Sequence, residues 1–259
     1  MKRILLIVVL LVVVLAVVAG ALIASALMGR QSVADGSEVN GIRIVADGIT
    51  SLAMIPVGEG RVALIDAGND SAGKAVLAEL ARRHLGPDAV AAVLLTHGHG
   101  DHRGAVPLFP NAQVMALAAE VPVIEGRESG GGPLNRLMGA SPSGIKVTRP
   151  LQDGETVTVG DKTFRVYAVP GHTPGSAAYL VDGVLFMGDA ADASSDGRVL
   201  RSAWVFSKSQ AEDQASLVRL SRRLTQENAD VRAIVFAHSG LLNKGLAPLA
   251  EFAERNRTP

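Results

Sequence analysis

Short apolar runs alternate with helix-period segments along most of this chain. Ile42–Val45, Leu52–Val57 and Val62–Ile65 predict strands separated by Asp-Gly and Gly-Glu-Gly turns. Ser71–Leu85 predicts a helix, stopped by the basic residues Arg82, Arg83 and His84 and then by Gly86-Pro87. Ala89–Thr96 is continuously apolar, as in a strand covered on both faces. Gln113–Ala116 predicts a further strand and Leu117–Ile124 a helical segment. Glu128–Gly144 is rich in Gly, Ser and Pro and predicts a mobile loop, with Leu134, Leu137 and Met138 as an apolar wall to any nearby pocket. Thr156–Val159, Thr163–Val169, Ala177–Val181 and Val184–Met187 form a β-rich second half. Gln210–Glu227 carries Leu217, Leu220 and Leu224 on one helical face, and Arg232–Ala237 predicts a last short strand. Trp204 and Phe206, between Asp189 and the long helix, either line a pocket or pack in the core, and the core is expected. Two strand clusters with interspersed helices indicate a layered α/β domain.

The amino-terminal segment has a different pattern. After Met1, Lys2 and Arg3, an uncharged apolar run extends from Ile4 to Met28. As a helix it would span ~37 Å, against ~30 Å for a hydrocarbon core. A secretory signal has a shorter apolar stretch, roughly 7–15 residues. Residues 1–29 therefore predict an uncleaved transmembrane anchor. Ala24-Ser25-Ala26 also reads as a cleavage site, so a long signal segment is the alternative. The basic end stays cytoplasmic under either reading, which places the rest of the chain outside the cytoplasm. Residues 30–40 read as a polar linker, and 41–259 as one catalytic domain.

Lys+Arg and Asp+Glu number 25 each, and aromatics make up 3 %, so nothing favours a nucleic-acid partner. There is no cysteine, which excludes thiolate ligands and a cysteine nucleophile. A metal would have to be held by imidazoles and carboxylates, a set that suits zinc, iron or manganese.

The chain has six histidines, three of them in Thr96-His97-Gly98-His99-Gly100-Asp101-His102, directly after the buried strand. His97 and His99 can converge on one ion if the loop turns tightly, and Asp101 and His102 can face a second. Gly98 and Gly100 leave room for that turn. His172 (in Pro-Gly-His-Thr-Pro-Gly-Ser) and His238 (in Phe-Ala-His-Ser-Gly) also follow strands. Asp189, in Met-Gly-Asp-Ala, and Asp66, in Ile-Asp-Ala-Gly, repeat the placement. Such exits from several strands point to one rim of a sheet. His84 sits at a helix end, where a cation suits the helix dipole, and is left out of the site.

This ordered set resembles the metallo-β-lactamase superfamily from about Gly41 to the C-terminus. His97-x-His99-x-Asp101-His102 is similar to its signature loop. His172, Asp189 and His238 match its later ligands, and Asp66 matches an early aspartate near the site. The resemblance implies an αββα four-layer sandwich, with His97, His99 and His172 on one divalent ion, Asp101, His102 and His238 on a second, and Asp189 bridging. Zinc is the favoured metal, and Asp101 and Asp189 are the expected catalytic carboxylates. The implied activity is hydrolysis of an ester, lactone, thioester or phosphodiester bond in a small molecule. β-Lactamases with a cysteine ligand are excluded, and other β-lactamase activity is not favoured beside Asp189. Glutathione-thioester specificity is not favoured either, because only residues 239–259 follow His238. Competing readings are a mononuclear iron sulfur-dioxygenase and a non-catalytic metal-binding module on the same fold.

Overall fold

The computed structural model describes residues 2–256. Met1, counted above with the basic amino-terminal end, and residues 257–259, the last of the expected domain, lie outside the described residues. A long helix, α1 (Lys2–Leu27), leads the chain. Its stretch Val9–Leu27 has a mean hydropathy of 2.9, and Leu10, Val13 and Val17 are exposed. By length and composition it can cross a bilayer.

The first sheet contains β1 (Glu38–Val39), β2 (Ile42–Asp47), β3 (Thr50–Pro56), β4 (Val62–Ile65), β5 (Val90–Leu94), β6 (Gln113–Leu117) and β7 (Arg149–Leu151), in that spatial order. Strands β4 to β7 run parallel. Between them lie α2 (Lys74–Arg82), α3 (Gly100–Arg103), α4 (Val121–Ile124) and α5 (Pro133–Met138). The second sheet is built from β8 (Thr156–Val159), β9 (Lys162–Ala168), β10 (Ala177–Val181), β11 (Val184–Phe186), β14 (Ala233–Val235) and β15 (Leu241–Leu242), in the order β15-β14-β11-β10-β9-β8. A small ribbon pairs β12 (Ala191–Ala193) with β13 (Val199–Arg201), and α6 (Gln210–Gln226) and α7 (Ala247–Arg255) complete the chain.

Period-two alternation explains the layering. Ala53, Ile55, Ala63, Ile65, Ala92 and Leu94 point inward and meet Phe164, Val166, Tyr179 and Phe186 of the other sheet. The intervening Leu52, Met54, Leu64 and Val93 pack outward with Val76 and Leu80 of α2. On the far side Ala178, Leu180, Leu185 and Ile234 pack with Leu217, Leu220 and Leu224 of α6 and with Leu249 and Phe252 of α7. Three cores between four layers make an αββα sandwich.

Several elements differ from the pattern-based expectation. Helix α2 is shorter, because Gly73 enters it at φ 62 and His84 reverses the chain at φ 58, ahead of Gly86. The loop 128–144 contains α5. Trp204 is 40 % exposed rather than a core residue, and Phe206 is only partly buried. Residues 30–40 do not hang free. Gln31 N donates to Ala193 O, Gly36 N donates to Ile44 O, and β1 pairs with β2. Arg30 Nε reaches Asp192 Oδ2 at 2.6 Å with both side chains almost fully buried.

Candidate metal centre

All the histidine and aspartate positions singled out above except His84 arrive at one end of the sandwich. Asp66 follows β4, and His97 to His102 follow β5. His172 follows β9, Asp189 follows β11 and His238 follows β14. The signature loop does not remain irregular: Asp101 and His102 ride on the single turn of α3, which tips both toward the second sheet. Gly98 is required by close approach, since a Cβ there would stand 2.8 Å from Ile124 N and 2.7 Å from Val123 Cγ1. Gly100 is not, because a Cβ there meets nothing within 4 Å.

Seven side chains form two adjoining groups. In the first, His97 Nε2 and His172 Nε2 lie 3.1 and 3.0 Å from His99 Nδ1, and Asp189 Oδ2 stands 3.4 Å from His172 Nε2. In the second, Asp101 Oδ2 is 3.6 Å from His102 Nε2 and 3.2 Å from His238 Nε2. Asp189 joins the groups: Oδ1 lies 3.2 Å from His102 Nε2, and Oδ2 lies 3.2 Å from His238 Nε2. Within each group the ligating atoms all lie within 4.8 Å of one another.

Electrostatics distinguish the groups. Burial pushes His97 well below the ordinary histidine range, His99 down to about 4 and His172 down to about 3, so these rings are neutral. Burial also opposes charge on His102 and His238, but Asp189 and Asp101 outweigh it; His102 is raised well above its usual value and His238 to about 11. Asp101 is held at about 2 and Asp189 well below the carboxylate range, in each case with burial opposing and the neighbouring imidazoles prevailing.

The donor set fits divalent cations. His97 Nε2 and His172 Nε2 both face His99 Nδ1 at hydrogen-bond distance, and that one ring nitrogen, carrying a single proton or a single lone pair, cannot make a full hydrogen bond to both, whereas a cation among them accepts all three. His102 Nε2 and Asp189 Oδ1 are fully buried and face each other at 3.2 Å, yet neither makes a well-formed hydrogen bond. Buried polar atoms are seldom left so, and an ion satisfies both.

The rings are oriented from behind, as metal-ligating histidines are. His102 Nδ1 donates to Asp66 Oδ2 at 2.9 Å, and Asp66 also accepts from Thr96 N and Thr96 Oγ1, both at 2.8 Å. Asp66 therefore supports the cluster without entering it, and these bonds hold its backbone at φ 60. His97 Nδ1 meets Thr96 Oγ1 at 3.1 Å, His172 Nδ1 meets Ser207 Oγ at 3.0 Å, and His238 Nδ1 donates to Ile49 O at 2.7 Å. His99 Nε2 meets the Asn135 carboxamide at 2.7 Å.

Sequence reasoning missed Thr96, Glu120, Asn135 and Ser207. Glu120 is buried and accepts from Gly98 N at 2.9 Å and Gly175 N at 2.7 Å, tying the two histidine loops together. Only Thr96, beside the signature loop, carried a local signal.

An αββα sandwich with such a His/Asp cluster at one end is the construction of a metallohydrolase of the metallo-β-lactamase fold. The signature described as the metallo-β-lactamase superfamily matches residues 47–238, and the chain belongs to that family. Among curated proteins, hydroxyacylglutathione hydrolase 2 of Vibrio vulnificus (strain YJ016) is 32 % identical over 143 residues, 54 % of this chain and 46 % of that one. Hydroxyacylglutathione hydrolase of Halorhodospira halophila is 34 % identical over 150 residues, 58 % of this chain and 51 % of that one. The chain spans about half the length of these relatives. Among solved structures, the subclass B3 metallo-β-lactamase of Bradyrhizobium japonicum superposes with a TM-score of 0.63 at 20 % identity, over 89 % of this chain and 93 % of that one. A metallo-β-lactamase family protein of Thermus thermophilus gives 0.60 at 24 % identity, over 84 % and 79 %. These structural likenesses show the fold alone.

Proposed function

We propose that this protein is a dinuclear metal-dependent hydrolase of acyl bonds, esters and thioesters foremost, held at a membrane by α1 with its domain outside the cytoplasm. The observation that carries the reading is Asp189, whose two carboxylate oxygens face both ligand groups at once. His97, His99 and His172 would hold one ion and Asp101, His102 and His238 the other, with Asp189 available to both. Zinc suits a set of nitrogen and oxygen ligands without thiolates, and iron or manganese is compatible with it. Two such ions, when bound, would supply Lewis acidity to an attacked carbonyl and would make a water more acidic, its pKa falling from ~15.7 toward ~7.

The chain's own residues do the remaining work. Asp101 is partly exposed with its carboxyl ionised, placed to orient the attacking water. Asp66 fixes the His102 ring, and Ile49 O fixes His238 with Nε2 turned inward. The curated relatives are named for hydrolysis of hydroxyacylglutathione, a thioester, which places thioesters within the proposed class. The balanced charge leaves small molecules, not nucleic acid, as substrates.

The test is elemental analysis of the full chain, purified without added metal or chelator, followed by an ester and thioester screen. About two zinc ions per chain with turnover is the expected result. Asp189→Ala is expected to lower turnover by at least two orders of magnitude and to lose metal. One iron per chain with oxygen uptake would replace the hydrolase with an oxidoreductase, and no metal even after reconstitution would sink the reading.

A further inference from the structure

The loop that carries His172 is gripped by the start of α6. Lys208 N donates to His172 O and Ser209 N to Gly171 O, both at 2.9 Å, and Ser216 Oγ donates to Pro170 O at 2.6 Å. Gly171 lies flat against this helix, since a Cβ there would stand 2.3 Å from Asp213 N and Cα. Asp213 itself is fully buried. Its Oδ2 accepts from Ser202 N at 3.2 Å, and its Oδ1 has no hydrogen-bond partner. Burial pushes this carboxyl up to about 7, with Ser202 and Arg201 opposing. An acid in such a place costs stability that an apolar side chain would not. The helix does not need it as a cap, because Ser209 Oγ already accepts from Glu212 N.

What the carboxyl faces is a chain of hydroxyls that ends at a ring of the metal centre. His172 Nδ1 and Ser207 Oγ are 3.0 Å apart. The single proton of Ser207 has two acceptors in reach, Ala203 O at 2.7 Å and Ser202 Oγ at 2.9 Å. Ser207 therefore meets His172 with a lone pair, which requires the proton on Nδ1 and leaves Nε2 bare toward the cluster. Ser202 Oγ also accepts from Gln210 Nε2 at 3.2 Å. With Ser207 and Gln210 both donating to it, the Ser202 hydroxyl has its own proton left for a third partner, and the acceptor beside it is Asp213. The protons then all run one way, from His172 through Ser207 and Ser202 to the acid. Bonds aligned in such a chain polarise one another.

We propose that Asp213 is a positioning residue for the metal centre, acting through Ser202 and Ser207 to hold His172 in its Nδ1–H form and to make Nε2 a better ligand for a divalent ion. This inference rests on the reading of His172 as a ligand. Asp213 touches neither substrate nor ion; its effect falls on the position among His97, His99 and His172.

The test compares wild type with Asp213→Asn, Ser202→Ala and Ser207→Ala, each as the full chain in detergent. Zinc affinity is read by competition with a chromophoric chelator. Ser207→Ala removes a direct partner of the imidazole and is expected to cost ~10–100-fold. Ser202→Ala and Asp213→Asn act one and two bonds further away and are expected to cost about three- to tenfold. Asp213→Asn keeps an acceptor for Ser202 N, so the metal-free Tm should not fall. Once Ser207 is alanine, Asp213→Asn should have no further effect on affinity. A structural role would persist in that background, and that result overturns the proposal. A second readout needs no metal. The chain has six histidines, so isotope-labelled imidazoles can be resolved by NMR. His172 is expected to carry its proton on Nδ1, with a signal that moves upfield in Asp213→Asn and Ser202→Ala but not in Glu212→Gln, an exposed neighbour. If no form binds zinc, the metal reading fails while the His172 proton still decides the relay. Unchanged affinity with an unmoved His172 signal overturns the proposal, as does a His172 ring protonated on Nε2.

Discussion

Replacing Arg30 with alanine asks whether the segment after α1 is part of the domain. Arg30 and Asp192 are 10 % and 7 % exposed and 2.6 Å apart, and Arg30 Nη1 also donates to Ala26 O. Ser239 Oγ donates to Asp192 Oδ1 at 2.7 Å and accepts from Ala193 N at 2.8 Å, so both carboxylate oxygens are used. Arg30→Ala leaves Asp192 buried with one donor. Breaking a buried pair in this way costs ~3–5 kcal/mol. For a domain of this size each kcal/mol shifts Tm by about 2–4 °C, which predicts a fall of roughly 6–20 °C. The pH dependence is a second signature. Burial already raises the Asp192 pKa despite Arg30 and Ser239, and losing Arg30 raises it further. A carboxyl with a raised folded-state pKa takes up its proton more readily when folded, so the penalty is full above that pKa and shrinks as pH falls. Thermal unfolding of the full chain in detergent at pH 7.5 and pH 5 measures both effects. Arg61→Ala is the control, since Arg61 and Glu59 form a pair 46 % and 85 % exposed, expected to contribute almost nothing. A loss below about 1 kcal/mol for Arg30→Ala, or one that grows on acidification, would refute the reasoning.

Glu120→Gln leaves Gly98 N or Gly175 N without its acceptor and is expected to cost ~1–3 kcal/mol in urea unfolding. Burial raises Glu120 to about 7, so wild-type stability should fall as pH rises from the unfolded carboxyl range through 7, and the variant should lose that slope. Gly98→Ala is expected to abolish metal retention through its clash with Val123 and Ile124, whereas Gly100→Ala, with open space around it, should retain two ions by elemental analysis. Removing metal with a chelator should end turnover and lower Tm, with zinc restoring both; at free metal 100 times Kd the stabilisation is ~2.7 kcal/mol.

The strands that sequence delimited correctly combine clear turns with apolar period: Val62–Ile65, Thr156–Val159 and Ala177–Val181 match residue for residue. The unpredicted ones lack such a pattern. Strand β7 contains Pro150, and β12 and β13 are three residues each, created by pairing with one another across a turn. Helices α3 and α5 are short pieces whose existence depends on what they dock against. The clustering of the candidate ligands was legible because histidine is scarce here and falls after apolar strands. Their supports were not. Glu120 acts on two backbone N–H groups, and Ser207 reaches His172 across 35 positions of chain. Trp204 was expected in the core and is 40 % exposed, because nothing in its neighbouring residues says which surface carries an apolar side chain.

The division of ligands between the sheets gives the centre its mechanical character. His97, His99, Asp101 and His102 leave the first sheet, whereas His172, Asp189 and His238 leave the second. Neither group can be completed by one sheet: the first needs His172 and Asp189 beside His97 and His99, and the second needs His238 beside Asp101 and His102. An ion in either position would therefore clamp the two halves at the end of the sandwich, in addition to the apolar core between them. The outer contacts follow the same division. Glu120, after β6, binds Gly175 beyond β9, and Ile49, between β2 and β3, holds His238 after β14. Arg30 adds a third tie, reaching from just beyond α1 to Asp192 and through it to Ser239, the residue next to His238. The His238 loop is thus held from the segment that follows α1 as well as from both sheets, so disturbing the helix junction should act first on an ion placed among Asp101, His102 and His238.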